Sequence, residues 1–308
     1  MKIGIVDLDT SHPQGWIPVE REMGHEVVGV LDSGDVHPQG YADDFAARLE
    51  VPRVYTDLNE LAHDVDCAII HSCDWDTHIP KAKPFIEAGK AVLIDKPIAG
   101  NMRDIDQVRQ WVNQGARITG GSSLRFCYET QQWLARDVAQ RGTPHTVLCG
   151  CAVDEFNYGI HAYSMLSGIL GPGIVSIRSL GKHVQRRIQV NWADGRMGIV
   201  VVGEAAQWQP FYANISTEME CAQYQPNPKM LYRALLASTM DYLSGKTDNP
   251  PLPFDELIEP ELAAIAAQES WNHNSREIMI AEIGEDTAGY NGREFADFYR
   301  KQKYPDSK

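Results

Sequence analysis

No two of the six cysteines in this 308-residue chain (Cys67, Cys73, Cys127, Cys149, Cys151, Cys221) are spaced C-x-x-C. The paired spacing of a structural zinc site is therefore missing, and no metal is expected. Set among apolar and strand-like residues, these cysteines read as small hydrophobes. A run of about 18 apolar residues, enough to span a membrane, is also missing. Behind Met1-Lys2 there is no apolar stretch of the kind an export signal carries. Basic residues are scarce: 28 Lys+Arg against 42 Asp+Glu leave a formal net charge of -14. A surface of that sign repels phosphate backbones and anionic lipid, which excludes nucleic acid and membrane as partners. Together these absences predict a reduced, cytoplasmic protein.

What is present is alternation. Short apolar runs at 2–6, 26–31, 66–71, 91–94 and 117–119 are separated by helix-period stretches at 13–23, 41–49, 58–63, 79–88 and 102–114. Strands joined by helices of this length need parallel crossovers, so residues 1–120 predict a Rossmann-type, doubly wound parallel sheet. From Gly120 the pattern changes. Helices are expected at 128–141, 161–170, 229–243 and 255–272, and strands at 146–153, 174–181, 187–192, 197–203 and 211–218. Asp194-Gly195 is a strong hairpin signal. Residues 121–308 therefore predict a C-terminal α+β domain with an open, mainly antiparallel sheet. The tail after Gly284 is polar and reads as a surface segment.

Ligands of a doubly wound sheet sit outside the carboxyl ends of its strands. The segments there are Asp7-Leu8-Asp9-Thr10-Ser11-His12, then Asp32, then Ser72-Cys73-Asp74-Trp75-Asp76-Thr77-His78, then Asp95-Lys96-Pro97. A carboxylate at Asp32 can accept both ribose hydroxyls of an adenosine, favouring NAD over NADP; it equally suits a turn before Ser33-Gly34. Lys96 can hydrogen-bond a substrate hydroxyl or donate to a carbonyl oxygen, or simply pair with Asp95. His161 opens an apolar helix, whose dipole keeps an imidazole neutral and able to take a proton; a structural histidine fits the same place. His78 reads as an N-terminal cap.

In their order, these segments resemble the glucose-fructose oxidoreductase / inositol dehydrogenase / MocA family. Residues 55–97 carry its run of strand, loop ending in His, helix ending A-G-K, strand and then an E-K-P-like turn (here Asp95-Lys96-Pro97). Residues 157–166 (NYGIHAYSML) look like its D-x-x-x-H-x-x-D segment, and 263–270 (AAIAAQES) fits its C-terminal helix. The resemblance implies an NAD- or NADP-dependent dehydrogenase acting on a secondary alcohol of a sugar, cyclitol or related polyol. It implies Lys96 and His161 as catalytic groups, with Asn157 at the position of the family's Asp and Arg125 near the substrate. The cofactor would meet Asp9, Thr10, Ser11, His12, Asp32, Ser72, Cys73, His78, Asp95 and Lys96. A homodimer or homotetramer would form through the C-terminal sheet.

The chain departs from the pattern where it matters. Asp7, Asp9 and His12 stand at the three glycines of the family's G-x-G-x-x-G turn, which lets backbone approach a diphosphate. Two carboxylates there repel phosphate by several kcal/mol at low effective dielectric unless they are screened, a rough figure. Asn157 also removes the usual orienting carboxylate of His161. Two alternatives follow from these departures. One is a cofactor-independent or metal-assisted carbohydrate lyase, isomerase or hydrolase on the same scaffold; the other is a non-catalytic relative.

Overall fold

The computed structural model describes residues 1–305. Its elements in chain order are β1 (Lys2–Val6), α1 (His12–Glu22), β2 (Glu26–Leu31), α2 (Tyr41–Arg48), β3 (Val54–Tyr55), α3 (Leu58–Asp64), β4 (Cys67–Ile70), α4 (His78–Glu87), β5 (Ala91–Asp95), α5 (Met102–Asn113) and β6 (Ile118–Gly121). After these come α6 (Tyr128–Leu134), α7 (Val138–Arg141), β7 (Thr146–Gly150), α8 (Ile160–Leu170), β8 (Ile174–His183), β9 (Gln185–Trp192), β10 (Met197–Val202), β11 (Tyr212–Ser216) and β12 (Cys221–Tyr224). The last are α9 (Leu231–Leu243), α10 (Phe254–Asn272), β13 (Ile278–Met279) and α11 (Gly292–Lys303). Two compact units result. The first takes Met1–Gly120, Leu236–Phe254 and the described residues from Asn291 on; the second takes Gly121–Leu235 and Asp255–Tyr290.

The first unit holds a sheet of order β3-β2-β1-β4-β5-β6, in which β1 pairs parallel with both β2 and β4, and β4 with β5. Its central strands are buried on both faces, which is why they read as continuous Val/Ile runs rather than alternating ones. The order reverses between β2 and β4, around β1, so the carboxyl ends of these strands form the switch-point crevice.

The second unit holds a sheet of order β12-β11-β7-β10-β9-β8-β13. It is mainly antiparallel, as the hairpin signal requires, but β7 and β10 run parallel. That pairing corrects the picture of hairpins alone: the chain leaves β7 through α8 and comes back to β10 only after β8 and β9, and a connection of that length permits a parallel neighbour. Helix 128–141 is likewise two helices, because Asp137 turns its carboxylate onto the Ala139 N–H (3.0 Å) and starts α7 afresh. β12 has no counterpart in the sequence reading. The larger correction is the tail, which does not drape on the surface: α11 packs on the first unit.

The buried face of α1 is Pro13, Trp16, Ile17 and Glu20, the spacing of a core stripe with an acid at its end. Both Glu20 carboxyl oxygens are buried with no hydrogen-bond partner among the described residues. Burial pushes this carboxyl up to about 8, with Arg21 opposing weakly, so it is a neutral acid at pH 7. The folded state thus holds a proton that the unfolded chain releases near the ordinary value of 4.5. Stability is therefore highest below that value and falls as pH rises toward about 8, by up to about 1.4 kcal/mol per pH unit. Glu20→Gln is expected to flatten that slope in urea melts at pH 5, 6.5 and 8; a slope unchanged from the parent would refute the assignment.

Candidate functional site

Beyond β1 the chain enters the crevice with Asp7 in the left-handed region (φ 64). Its carboxylate is fully buried. One oxygen accepts the Ser33 N–H (2.9 Å); the other accepts the Ser72 hydroxyl and the Lys81 ammonium (2.5 Å). Burial alone would raise this carboxyl, but Lys81 and the donors hold it below the ordinary range. Lys81 lies on the buried face of α4, with His78, Ala82 and Phe85. A lysine in that apolar stripe was the one sequence signal that could have exposed the pair.

Asp9 is also buried. Its Oδ2 accepts the Cys73 N–H (2.8 Å), and its Oδ1 has no partner among the described residues. Burial, then the charge of Asp7, pushes its carboxyl up to about 7. Both acids at the glycine positions are therefore turned inward. One is neutralised by an ammonium, and the other gains its proton around neutral pH.

Asp32 sits half-buried after β2, its carboxylate accepting the Leu8 N–H at 3.4 Å. Burial, then Asp7, raises it. It lines a cleft of about 820 Å³ with Ser33, Gly34, Tyr55, Thr56 and Arg300. Thr10 and Ser11 remain accessible where α1 begins. Ser72 and Cys73 are engaged as described. His78 is fully buried, with its ring nitrogens at the carbonyls of Ile98 (3.0 Å) and Ser72 (2.9 Å). It ties two loops of the crevice together rather than capping α4.

After β5, Asp95 is a meeting point. Its Oδ2 contacts His12 Nδ1 (2.5 Å) and His71 Nδ1 (2.8 Å), and its Oδ1 accepts the Lys96 main-chain N–H (2.8 Å). Burial would raise this carboxyl, yet His12 and His71 hold it well below the ordinary range. The three donor atoms lie within 4.8 Å of one another. His71 is fully enclosed and kept neutral by burial, whereas His12 is 15% exposed. Lys96 itself is buried.

α11 closes over the loops after β1, β2 and β4. Asn291 caps it by accepting the Glu294 N–H (2.8 Å), and the Gly292 N–H donates to Asp76 (2.8 Å). Phe295 stacks near Trp75 (5.3 Å), and Phe295, Ala296 and Tyr299 pack on Val36 and Cys73. Arg293 pairs with Asp35 (2.8 Å). Lys303 donates to the Asp9 carbonyl (2.9 Å), and the Tyr304 hydroxyl meets His37 Nδ1 (2.7 Å). His37, driven down to about 4 by burial and Lys303, in turn donates to the Leu8 carbonyl (2.9 Å). None of the α11 residues was singled out from sequence, nor were Asp35, Val36 and His37.

The residues fit the nucleotide end of a dinucleotide: a carboxylate at a roomy cleft, hydroxyls at a helix start, and two cations, Arg300 and Lys303, beside acids already neutralised. The phosphate repulsion anticipated from Asp7 and Asp9 is lessened by their inward turn, by the Lys81 ammonium on Asp7 and by the raised carboxyl of Asp9.

In the second unit, His161 lies in the first turn of α8, its Nδ1 at the Ser122 hydroxyl (2.6 Å) and its ring edge-on to Tyr158 and Phe211. Asn157 stands one turn before it. Arg125 is half-buried; its charge is disfavoured by burial and supported by Glu259, Glu256 and Glu261.

Residues 2–119 match the family model described as "Oxidoreductase family, NAD-binding Rossmann fold". A trans-1,2-dihydrobenzene-1,2-diol dehydrogenase of Danio rerio is 30% identical over 93 residues, 30% of this chain and 26% of that enzyme. The chain thus spans about a quarter of the length of that relative. A probable dehydrogenase from Thermotoga maritima superposes with a TM-score of 0.79 at 14% identity, over 92% of this chain and all (100%) of that one. A scyllo-inositol dehydrogenase from Lactobacillus casei, solved with NAD(H) and scyllo-inositol, gives 0.76 at 16% identity, over 91% and 99%. These likenesses extend the shared fold through both units.

Proposed function

We propose, from the match of residues 2–119 to the oxidoreductase family with an NAD-binding Rossmann fold, that the chain is an NAD(P)-dependent oxidoreductase of a secondary alcohol in a sugar, cyclitol or related polyol. The observation that carries the reading is Lys96, buried at the carboxyl end of β5 with its main chain locked to Asp95. A lysine ammonium at this strand end can hold the reacting oxygen and stabilise it as an alkoxide. Asp32 would take the adenosine ribose, with Thr10, Ser11, Arg300 and Lys303 toward the diphosphate; a carboxylate at that place favours NAD. When bound, the nicotinamide supplies the hydride acceptor. His161, Asn157 and Arg125 enter as the substrate-side groups by resemblance. Self-association through the second unit's sheet belongs to the same proposal.

Calorimetric titration of the purified chain with NAD and with NADP tests it. Binding is expected, tighter for NAD, and weakened roughly tenfold or more by Asp32→Ala, since hydrogen bonds to a charged group contribute about 1.5–3 kcal/mol. No heat and no thermal shift with either dinucleotide would end this reading. A second reading, proton-transfer chemistry on a carbohydrate without nicotinamide, is favoured by the packing of α11 on ground that the first gives to the dinucleotide. Turnover of a sugar with no nicotinamide present would select it.

A further inference from the structure

His12 is the first residue of α1, and two neighbours determine the plane of its ring. Asp95 holds Nδ1 at 2.5 Å, and Trp16, one turn along, stacks beneath it at 5.7 Å and 16°. His71 and the Lys96 N–H, each at 2.8 Å, already serve the two oxygens of Asp95. Of the two imidazoles on Asp95, His71 has no exposed side-chain surface and His12 has 15%. An enclosed carboxylate that orients one partly accessible imidazole is an arrangement made for moving a proton: it selects the tautomer with hydrogen on Nδ1 and meets the charge that forms. The same carboxylate anchors Lys96, so both groups stand on one support.

We propose that His12 is the catalytic acid–base group at the Lys96 end of β5, with Asp95 as its positioning residue. In the forward step an O–H bond of the substrate alcohol breaks. The proton bonds to His12 Nε2, and the oxygen keeps the electron pair as an alkoxide facing Lys96. The imidazolium is balanced by Asp95, and its proton passes to solvent at the exposed edge. Resemblance gives this duty to His161. In this chain the partly exposed imidazole held by a buried carboxylate at the end of β5 is His12, while the position one turn before His161 is Asn157. The inference deepens the proposed function only through its substrate class, since the proton step is common to both readings given above.

The test has two arms on the full chain. In ¹⁵N spectra of the histidine rings, His12 is expected as the Nδ1–H tautomer, and Asp95→Asn is expected to abolish that preference. An Nε2–H tautomer in the parent would overturn the inference whether or not any activity is found. In assays with scyllo-inositol or myo-inositol and NAD, His12→Ala is expected to lower kcat by about 10²–10⁴-fold with KM nearly unchanged. Added imidazole should restore part of the rate, which a merely structural role would not allow. A rate within threefold of the parent would also overturn it. Failure of the parent to bind or use either dinucleotide would instead count against the oxidoreductase reading and leave the tautomer result to decide this one.

Discussion

Lys81→Met is expected to destabilise the chain by about 3–5 kcal/mol, because it strands the Asp7 carboxylate in the core without its ammonium. Asp7 is fully buried, and its remaining donors are one hydroxyl and one backbone N–H. These do not carry a positive charge. The double variant Asp7→Asn/Lys81→Met should recover much of the loss, since removing both charges costs less than orphaning one. The pH dependence follows from the sign of the shift. With Asp7 lowered, its stabilisation is present above the ordinary value of 3.8 and disappears as pH falls through the lower folded value. The gap between parent and Lys81→Met should therefore narrow on acidification. Urea unfolding at pH 7 and at pH 3, below the ordinary carboxyl value, measures both; equal midpoints at pH 7 would show that the pair carries no stability. The same pair explains how an acid can occupy the first glycine position, since its charge is spent inside the fold rather than on a ligand.

Gly120→Ala is expected to be comparably damaging, by roughly 4 kcal/mol, from about 1–3 of backbone strain and about 1–3 of overpacking. Gly120 has φ +146, and a Cβ there would stand 1.9 Å from the Ile94 carbonyl oxygen, a backbone atom of β5 that cannot swing aside. Relief requires β6 to part from β5 next to Asp95 and Lys96, so structure and site should fail together. A lowered midpoint with disturbed His12 and His71 resonances is the expected outcome. A variant as stable as the parent would mean that the β5–β6 contact yields freely.

Much of the first unit was legible because its signals are local. The apolar runs of β1, β2, β4 and β5 and the helix periods between them each need only a few neighbouring residues, and their alternation admits one sheet type. Lys96 could be found for the same reason, since it follows a readable strand. His12 was marked as an occupant of a glycine position and, like Asp95, as a residue the cofactor would meet, and neither was read as the other's partner. Their contact spans 83 residues and depends on which strand lies beside which. The polar tail suggested surface, yet its apolar side at Phe295, Ala296 and Tyr299 finds Val36, Cys73 and Trp75. Nothing in a polar composition reveals a stripe that narrow.

By itself the sequence determined the two sheet types, the crevice at the strand ends, and the match of residues 2–119 to an NAD-binding oxidoreductase family model. Only the tertiary structure decided what the acids in that crevice do. Asp7 pairs with Lys81 across 74 residues, Asp9 is buried toward neutrality, Asp95 gathers two histidines, and α11 lies across the loops. The physical reason is range. Propensity and periodicity act over one or two turns of chain, whereas the charge state of a buried carboxylate is set by groups that only the finished packing brings within about 3 Å.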